Sequence, residues 1–421
     1  MRTTSFCQFL DRSPTPWHAG QALAERLRRA GFVEVKEPEP WRLERGWGYF
    51  VQRDQSSLIA FRLGGPKLRL VTAHTDSPGL RLKPRAPHTS GGYLRLSVEI
   101  YGGPILATWS DRDLSLAGRV AVREGKGIAL KLIDFRVPIL RLPNLPIHIN
   151  RRVNEEGLKL DKQNQLHLLL QPLQDHLSPL DRFKKLLADR LGLPPGAILS
   201  WELLPYEAVP AAVWGPEGEF LASGRLDNLG SCFAAIEALI EAEEGETTPL
   251  VALLDHEEVG SMSHKGAESD FLSTVLQRIA AALGKPAAEI LPQSALLSAD
   301  MAHAFNPNFP DRFDPDHRPL LNRGVVFKEN AGLRYMADPW LLGFAITLCE
   351  AQGIPYQFYV QRNDIPCGST IGPIASKLGL RTLDLGMPLL AMHSIRECMG
   401  THDLEPFIRL LSAFFSAPAT S

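Results

Sequence analysis

Residues 251–261, VALLDHEEVGS, join a short apolar run to four successive polar residues, Asp255, His256, Glu257 and Glu258. The run suits a buried strand. Two adjacent carboxylates at its end repel one another when both are ionised, so placing them there costs stability unless a cation or a shared proton offsets it. A metal ion is the simplest offset. One glutamate then ligates the metal while its neighbour faces a bound water as general base. Two solvated glutamates opening a loop are the competing reading.

Other strand-like runs end in residues of the same chemistry. KLRLVTA at 67–73 leads into His74, Thr75 and Asp76. A histidine two residues before an aspartate supplies one metal ligand and one carboxylate to fix the imidazole tautomer; alone, it equally describes a loop with a satisfied histidine. The run 295–298 precedes Asp300, 356–360 precedes Asn363 and Asp364, and His393 follows 381–385. SGRLDN at 223–228 precedes a helix whose Leu226, Leu229, Phe233, Ile236 and Ile240 form one stripe. Asp227 therefore stands near a helix start, where the dipole stabilises an acid and where a rigid carboxylate could bridge two metals. Open α/β sheets collect ligands outside the carboxyl ends of their strands, where His74, Glu257, Glu258, Asp300, Asn363 and Asp364 all fall. Two histidines, three carboxylates and an unligated glutamate make a dinuclear set of mixed nitrogen and oxygen donors, suited to zinc, cobalt or manganese and to metal-assisted hydrolysis. The HExxH helix of single-zinc peptidases is absent, because Gly260 stands where its second histidine is needed.

The elements that position these residues follow an α/β pattern with an interruption. Residues 16–31 form an amphipathic helix ending at Gly31. From about residue 77 the texture turns to strands: 94–100 alternates strictly, 120–122 and 128–133 are short runs, and glycine pairs punctuate them. A β-rich inserted domain is the economical reading. Within it, His148 in LPNLPIHINRRVN sits among apolar residues and reads as a core histidine, while 178–191 is a helix with a Ser cap and a first-turn proline. The α/β pattern resumes near residue 220, with helices at 267–283, at 340–350 behind an Asp338-Pro339 cap, and at 402–416.

At 421 residues, with 44% hydrophobic and 22% charged content, the composition is that of an ordinary globular protein of two or three domains. A net charge of −2 and a pI near 6.6 favour neither nucleic acid nor an anionic membrane as partner. The N-terminus lacks a signal-peptide core, and no run approaches the roughly 18 apolar residues of a membrane span. The five cysteines form no CxxC pair, so reduced thiols and a cytoplasmic location are expected.

Six motifs, TAHTDSPG (72–79), SGRLDNL (223–229), DHEEVGS (255–261), SADMAHAFNPN (298–308), RNDIPCGSTIGPI (362–374) and LDLGMPLLAMHSIRE (383–397), resemble the M18 aspartyl aminopeptidases and occur in that family's order. The resemblance implies a mixed-sheet α/β zinc-aminopeptidase domain, residues 1–76 and 220–421, interrupted by a β-rich dimerisation domain at 77–219. It implies two zinc ions, with cobalt or manganese as substitutes, held by His74, Asp227, Glu258, Asp300 and His393, with Asp227 bridging. Glu257 then resembles the general base and Asp76 the carboxylate that orients His74. His148 matches a histidine that reaches a neighbouring subunit's site. Lys328, otherwise a solvated surface lysine, and Tyr335 match residues near the substrate's acidic side chain. The run ENAGL after Lys328 departs from the family's more usual polar run. The implied substrate is a peptide with a free N-terminus beginning in Asp or Glu, and the implied partner is the chain itself, as a homodimer within a dodecamer. A deacylase or carboxypeptidase acting on N-acyl amino acids, and a catalytically silent scaffold, are the alternatives.

Overall fold

The apolar strand Thr247–Leu254 is buried along its whole length and runs parallel to Lys67–His74, which runs parallel to Ala295–Ala299, itself parallel to Arg381–Gly386. These four are the middle of a nine-stranded mixed sheet. Val33–Glu34, Gly48–Arg53 and Ser57–Arg62 extend it on one side, and Val325–Glu329 and Tyr356–Val360 on the other. Both faces are covered, which is why the central strands read as continuous apolar runs rather than alternating ones. Val251 and Leu253 join the core under helices Arg2–Asp11, Pro16–Arg29, Leu226–Glu241, Pro339–Gln352 and Leu404–Ser416. Leu250, Ala252 and Leu254 point to the opposite core, with Phe271, Val275 and Ile279 of helix Phe271–Ala282. Because the four central strands are parallel, their carboxyl ends lie at one edge of the sheet.

The computed structural model describes residues 2–173 and 177–418. The chain separates into two compact units, one comprising Met1–Ser77, Ala211–Met392 and Glu397–Ser421, the other Pro78–Pro210 and His393–Arg396. The first unit returns at Ala211 rather than near 220. The reason is the short strand Ala212–Trp214, which pairs antiparallel with Phe220–Ser223, itself paired with Glu397–Gly400. The second unit holds two three-stranded antiparallel sheets, Gly79–Ser90 with Tyr93–Tyr101 and Leu168–Pro172, and Ile198–Glu207 with Leu114–Glu124 and Gly127–Asp134. Gly91 and Gly92, both at positive φ, make the tight turn of the first hairpin. Helix Pro179–Leu191, capped by Ser178, buries Phe183, Leu187 and Ala188 in this unit's core.

Most expected elements stand within a residue or two of their sequence boundaries. The helix Arg2–Asp11 and the strand Gly79–Ser90 were not expected. The strand contains Pro84 and Pro87 and slips register between Leu82 and Pro87, which breaks the alternation a sequence pattern relies on. His148 is not a core histidine. It is exposed in a turn between Ile147 and Ile149, themselves exposed, because the apolar run around it is a loop of the second unit and not a strand. No helix among the described residues is long and apolar enough to cross a membrane.

Candidate metal centre

At the carboxyl edge of the central strands, His74 ends its strand with its ring buried, and its Nδ1–H donates to the Asp76 carbonyl at 3.0 Å. A carbonyl can only accept, so in the neutral ring Nε2 carries the lone pair. That nitrogen faces Asp227 Oδ1 at 3.4 Å and Asp300 Oδ1 at 3.5 Å. Three acceptors converging on one point require a cation or a proton between them. Burial alone would lower the His74 pKa; the carboxylates of Asp227, Asp300 and Asp76 outweigh it and hold the ring well above the ordinary imidazole value. A metal dication lodged among these donors would supply the charge that the imidazolium proton otherwise provides, and the mixed nitrogen and oxygen set suits zinc. Ligand atoms of His74, Asp227 and Asp300 lie within 4.8 Å of one another, as do those of His74, Glu257 and Glu258.

The backbone that presents each group is itself held. Asp227 departs from helical geometry, as does Asn228, so the regular helix starts only beyond them. The Asp227 N–H donates to Glu397 Oε2 at 3.0 Å, and its carbonyl accepts from Ser77 Oγ at 2.7 Å. Asp300 follows Ala299 directly, with its N–H on the Leu385 carbonyl at 2.9 Å. Glu257 and Glu258 begin a single 3₁₀ turn, Glu257–Val259, entered through His256 at φ 65°. Asp76 grips that turn: its Oδ1 accepts from Glu257 N and its Oδ2 from Glu258 N, both at 3.1 Å. Its carboxylate therefore holds the glutamate pair as well as standing 3.5 Å from His74 Nδ1. Glu257 is largely enclosed. Burial first, with the His74 charge opposing it and Asp300, Glu258 and Asp76 adding to it, pushes its pKa up to about 8.

Other expected residues are placed differently. His256 is turned away to Ser263 Oγ, 2.7 Å from its Nδ1. Asn363 and Asp364 do not join the cluster: both are exposed, and Asp364 pairs with Arg362 at 2.6 Å, because the chain runs out into a surface loop after Val360. Lys328 is not a solvated lysine. It is buried, donates through Nζ to the carbonyls of Asp300 at 2.9 Å and Met301 at 3.3 Å, and lies 4.9 Å from the Tyr335 ring centroid. Tyr335 is also buried, beside Tyr359 and Cys367. His393 stands in the second unit, where its Nδ1–H donates to the Gly103 carbonyl at 3.1 Å, so that Nε2 is the lone-pair nitrogen here too. Sequence reasoning missed Glu397 and Ser77 as holders of Asp227. Both lie inside motifs quoted above, but nothing in their spacing says which backbone group they reach.

A family model described as aminopeptidase I zinc metalloprotease (M18) matches residues 9–415. Among curated relatives, the probable M18 family aminopeptidase 2 of Stutzerimonas stutzeri (strain A1501) is 47% identical over 419 residues, covering 97% of this chain and 96% of its own. Among solved structures, Ape4 in a cryo-EM complex with Nbr1 superposes with a TM-score of 0.94 at 39% identity, covering 98% of this chain and 85% of its own. The structure of the S. cerevisiae mApe1 dodecamer superposes with a TM-score of 0.83 at 26% identity, covering 98% of this chain and 96% of its own.

Proposed function

The chain belongs to the M18 family of zinc metalloaminopeptidases, and from that premise we propose that it removes a single N-terminal residue, preferably Asp or Glu, from peptides at a centre of two zinc ions. The observation that carries the two-ion reading is the packing of four carboxylates, Asp227, Asp300, Glu257 and Glu258, around the one buried imidazole of His74. A single dication leaves much of that negative charge uncompensated. His74, Asp227, Asp300, Glu258 and His393 would hold the ions, with Asp227 shared between them. Bound zinc would supply a Lewis acid for the scissile carbonyl and the means to acidify water at neutral pH.

This chain's own residues account for the rest. Glu257 takes a proton from the attacking water as the new carbon–oxygen bond forms, then gives that proton to the leaving nitrogen as the peptide C–N bond breaks. Its burial and its elevated affinity for a proton suit a group that must both accept and return one. Asp76 keeps the turn aimed by holding both glutamate N–H groups. Lys328 places a positive charge 3.7 Å from Asp300 Oδ2, and in this reading its charge favours an acidic side chain on the substrate. The exposed His148 is assigned to the site of a second copy, where it stabilises the developing oxyanion. Assembly as dimers within a dodecamer is supported by the likeness to the mApe1 dodecamer, and a cytoplasmic location by the reduced-thiol composition.

The test is a metal-quantified assay across Asp, Glu, Leu and Lys aminoacyl substrates and an N-acetylated control. Two zinc per chain, turnover of acidic substrates above the others and none of the N-acetylated control are expected. In the same assay Glu257→Gln should lose at least about a hundredfold in kcat at unchanged zinc content. Wild-type turnover by that variant overturns the assignment of the base.

A further inference from the structure

The strand–turn segment Arg53–Ser57 lies against the loop that follows the glutamate turn, and there the first unit buries a lysine. Lys265 is 2% exposed and its Nζ reaches Asp255 Oδ2 at 2.8 Å, Ser56 Oγ at 2.9 Å and Asp54 Oδ2 at 3.1 Å. Asp255, 1% exposed, directly follows the apolar strand Thr247–Leu254, and its other oxygen accepts from His256 N at 2.8 Å. His256 is the residue at positive φ that swings the chain into Glu257 and Glu258. The two ends of the loop are also tied through one hydroxyl. Ser57 Oγ accepts from Asp255 N at 2.9 Å and donates to the Lys265 carbonyl at 2.7 Å. Arg53 adds a bond to the His264 carbonyl at 2.8 Å. Gly266 packs where an added Cβ would stand 2.2 Å from the Ser261 carbonyl oxygen, so the loop is closed tightly on itself.

A buried ion pair is weak evidence of stability, because removing two charges from water offsets much of their attraction. What such a pair supplies is geometry, since a charged group out of water tolerates only the arrangement that keeps it paired. We propose that Lys265, paired with Asp255, is a positioning residue for the general base. By locking the Asp255 carboxylate against His256 N it sets the left-handed entry to the turn, and so aims Glu257. The base is thus held at two points, by Asp76 on its own N–H and by the Lys265–Asp255 pair on the residue before it. This rests on Glu257 being the base, and the experiment separates the two.

Wild type, Lys265→Met, Lys265→Arg, the charge-neutral pair Lys265→Met with Asp255→Asn, and Glu257→Gln are compared for kcat, KM, zinc per chain and thermal midpoint on one acidic aminoacyl substrate. The expected result is a kcat at least about tenfold lower for Lys265→Met at unchanged zinc and with KM within about twofold, since a misaimed base weakens the chemical step and leaves substrate binding alone. Lys265→Arg keeps the cation and should recover most of that loss. The double variant removes both charges, so it should regain thermal stability while kcat stays depressed; it also stands in for Lys265→Met should that protein not fold. A wild-type kcat per zinc-loaded site in Lys265→Met or in the double variant overturns the proposal, as does a loss confined to the thermal midpoint. If Glu257→Gln keeps wild-type turnover, the base assignment has failed instead. If Glu257→Gln is inactive while the lysine variants are not, only the positioning role has failed.

Discussion

At the scale of single residues, the site is organised by which atoms are left to face one another once the backbone has taken its share. His74 gives Nδ1 to a carbonyl and turns Nε2 to two carboxylates. His256, one position before the glutamate pair, gives its ring to Ser263. Both histidines stand at or just beyond the end of a core strand in sequence, and only side-chain direction separates ligand geometry from loop anchoring. Lys328 shows the same point. Its burial and its two backbone carbonyl partners make it a fixed positive charge rather than a mobile one. If that charge selects the substrate, Lys328→Ala should lower kcat/KM for Glu by about tenfold or more while changing Leu little. The measurement is the Glu-to-Leu ratio on zinc-quantified enzyme, and an unchanged ratio removes Lys328 from specificity.

At the scale of elements, four parallel strands bring the residues together, and the connections after them decide where the groups point. The parallel pairing of Leu254 with His74 places the glutamate turn beside the imidazole. At the far end of the chain Asp403 does comparable work, joining the start of helix Leu404–Ser416 to the turn that leads into Val325–Glu329. Its two oxygens accept from Asn322 N at 2.7 Å and Gly324 N at 2.9 Å. Burial, opposed by those same bonds, pushes its pKa up to about 7. In the unfolded chain an aspartate titrates near pH 4. Between the two values the unfolded chain has lost a proton that the folded one keeps, so this group lowers stability as pH rises from about 4 to about 7, by a few kcal/mol at most. Asp403→Asn cannot ionise. Its thermal midpoint should therefore fall less than the wild type's between about pH 5 and about pH 8, and equal slopes would show that the carboxyl is already charged in the folded state.

At the scale of the whole molecule, the exposed His148 and the glutamate turn belong to different compact units of one chain. The proposed exchange of His148 between copies makes activity a property of the assembly. Coexpressing His148→Ala with Glu257→Gln tests it. Each chain alone should be inactive, whereas every mixed pair contains one site with both groups intact, so random pairing recovers about a quarter of wild-type activity. No recovery in verified mixed oligomers would mean that His148 serves its own chain or none. That His148 is exposed at all was hidden from pattern reasoning, because isoleucines on both sides look alike in a core and at a surface awaiting a partner.

The sequence by itself determined the class of the fold and the edge of the sheet where residues able to ligate a metal gather. These follow from local rules: apolar runs of strand length, polar residues at their ends, and motifs kept in order. His74, Asp227, Glu257, Glu258 and Asp300, whose ligand atoms the fold brings near one another, were candidates on that basis. Tertiary structure alone decided which ring nitrogen faces the cluster, that Asp76 grips both glutamate N–H groups, that His256, Asn363 and Asp364 stand apart, and that Lys265 and Lys328 are buried. Each of these depends on a partner far away in the chain, such as Ser56 for Lys265 or Met301 for Lys328. Spacing along the chain carries no record of which way a side chain points once distant segments pack, and it is that packing which gives a set of acids and histidines a defined lone pair and a fixed buried charge.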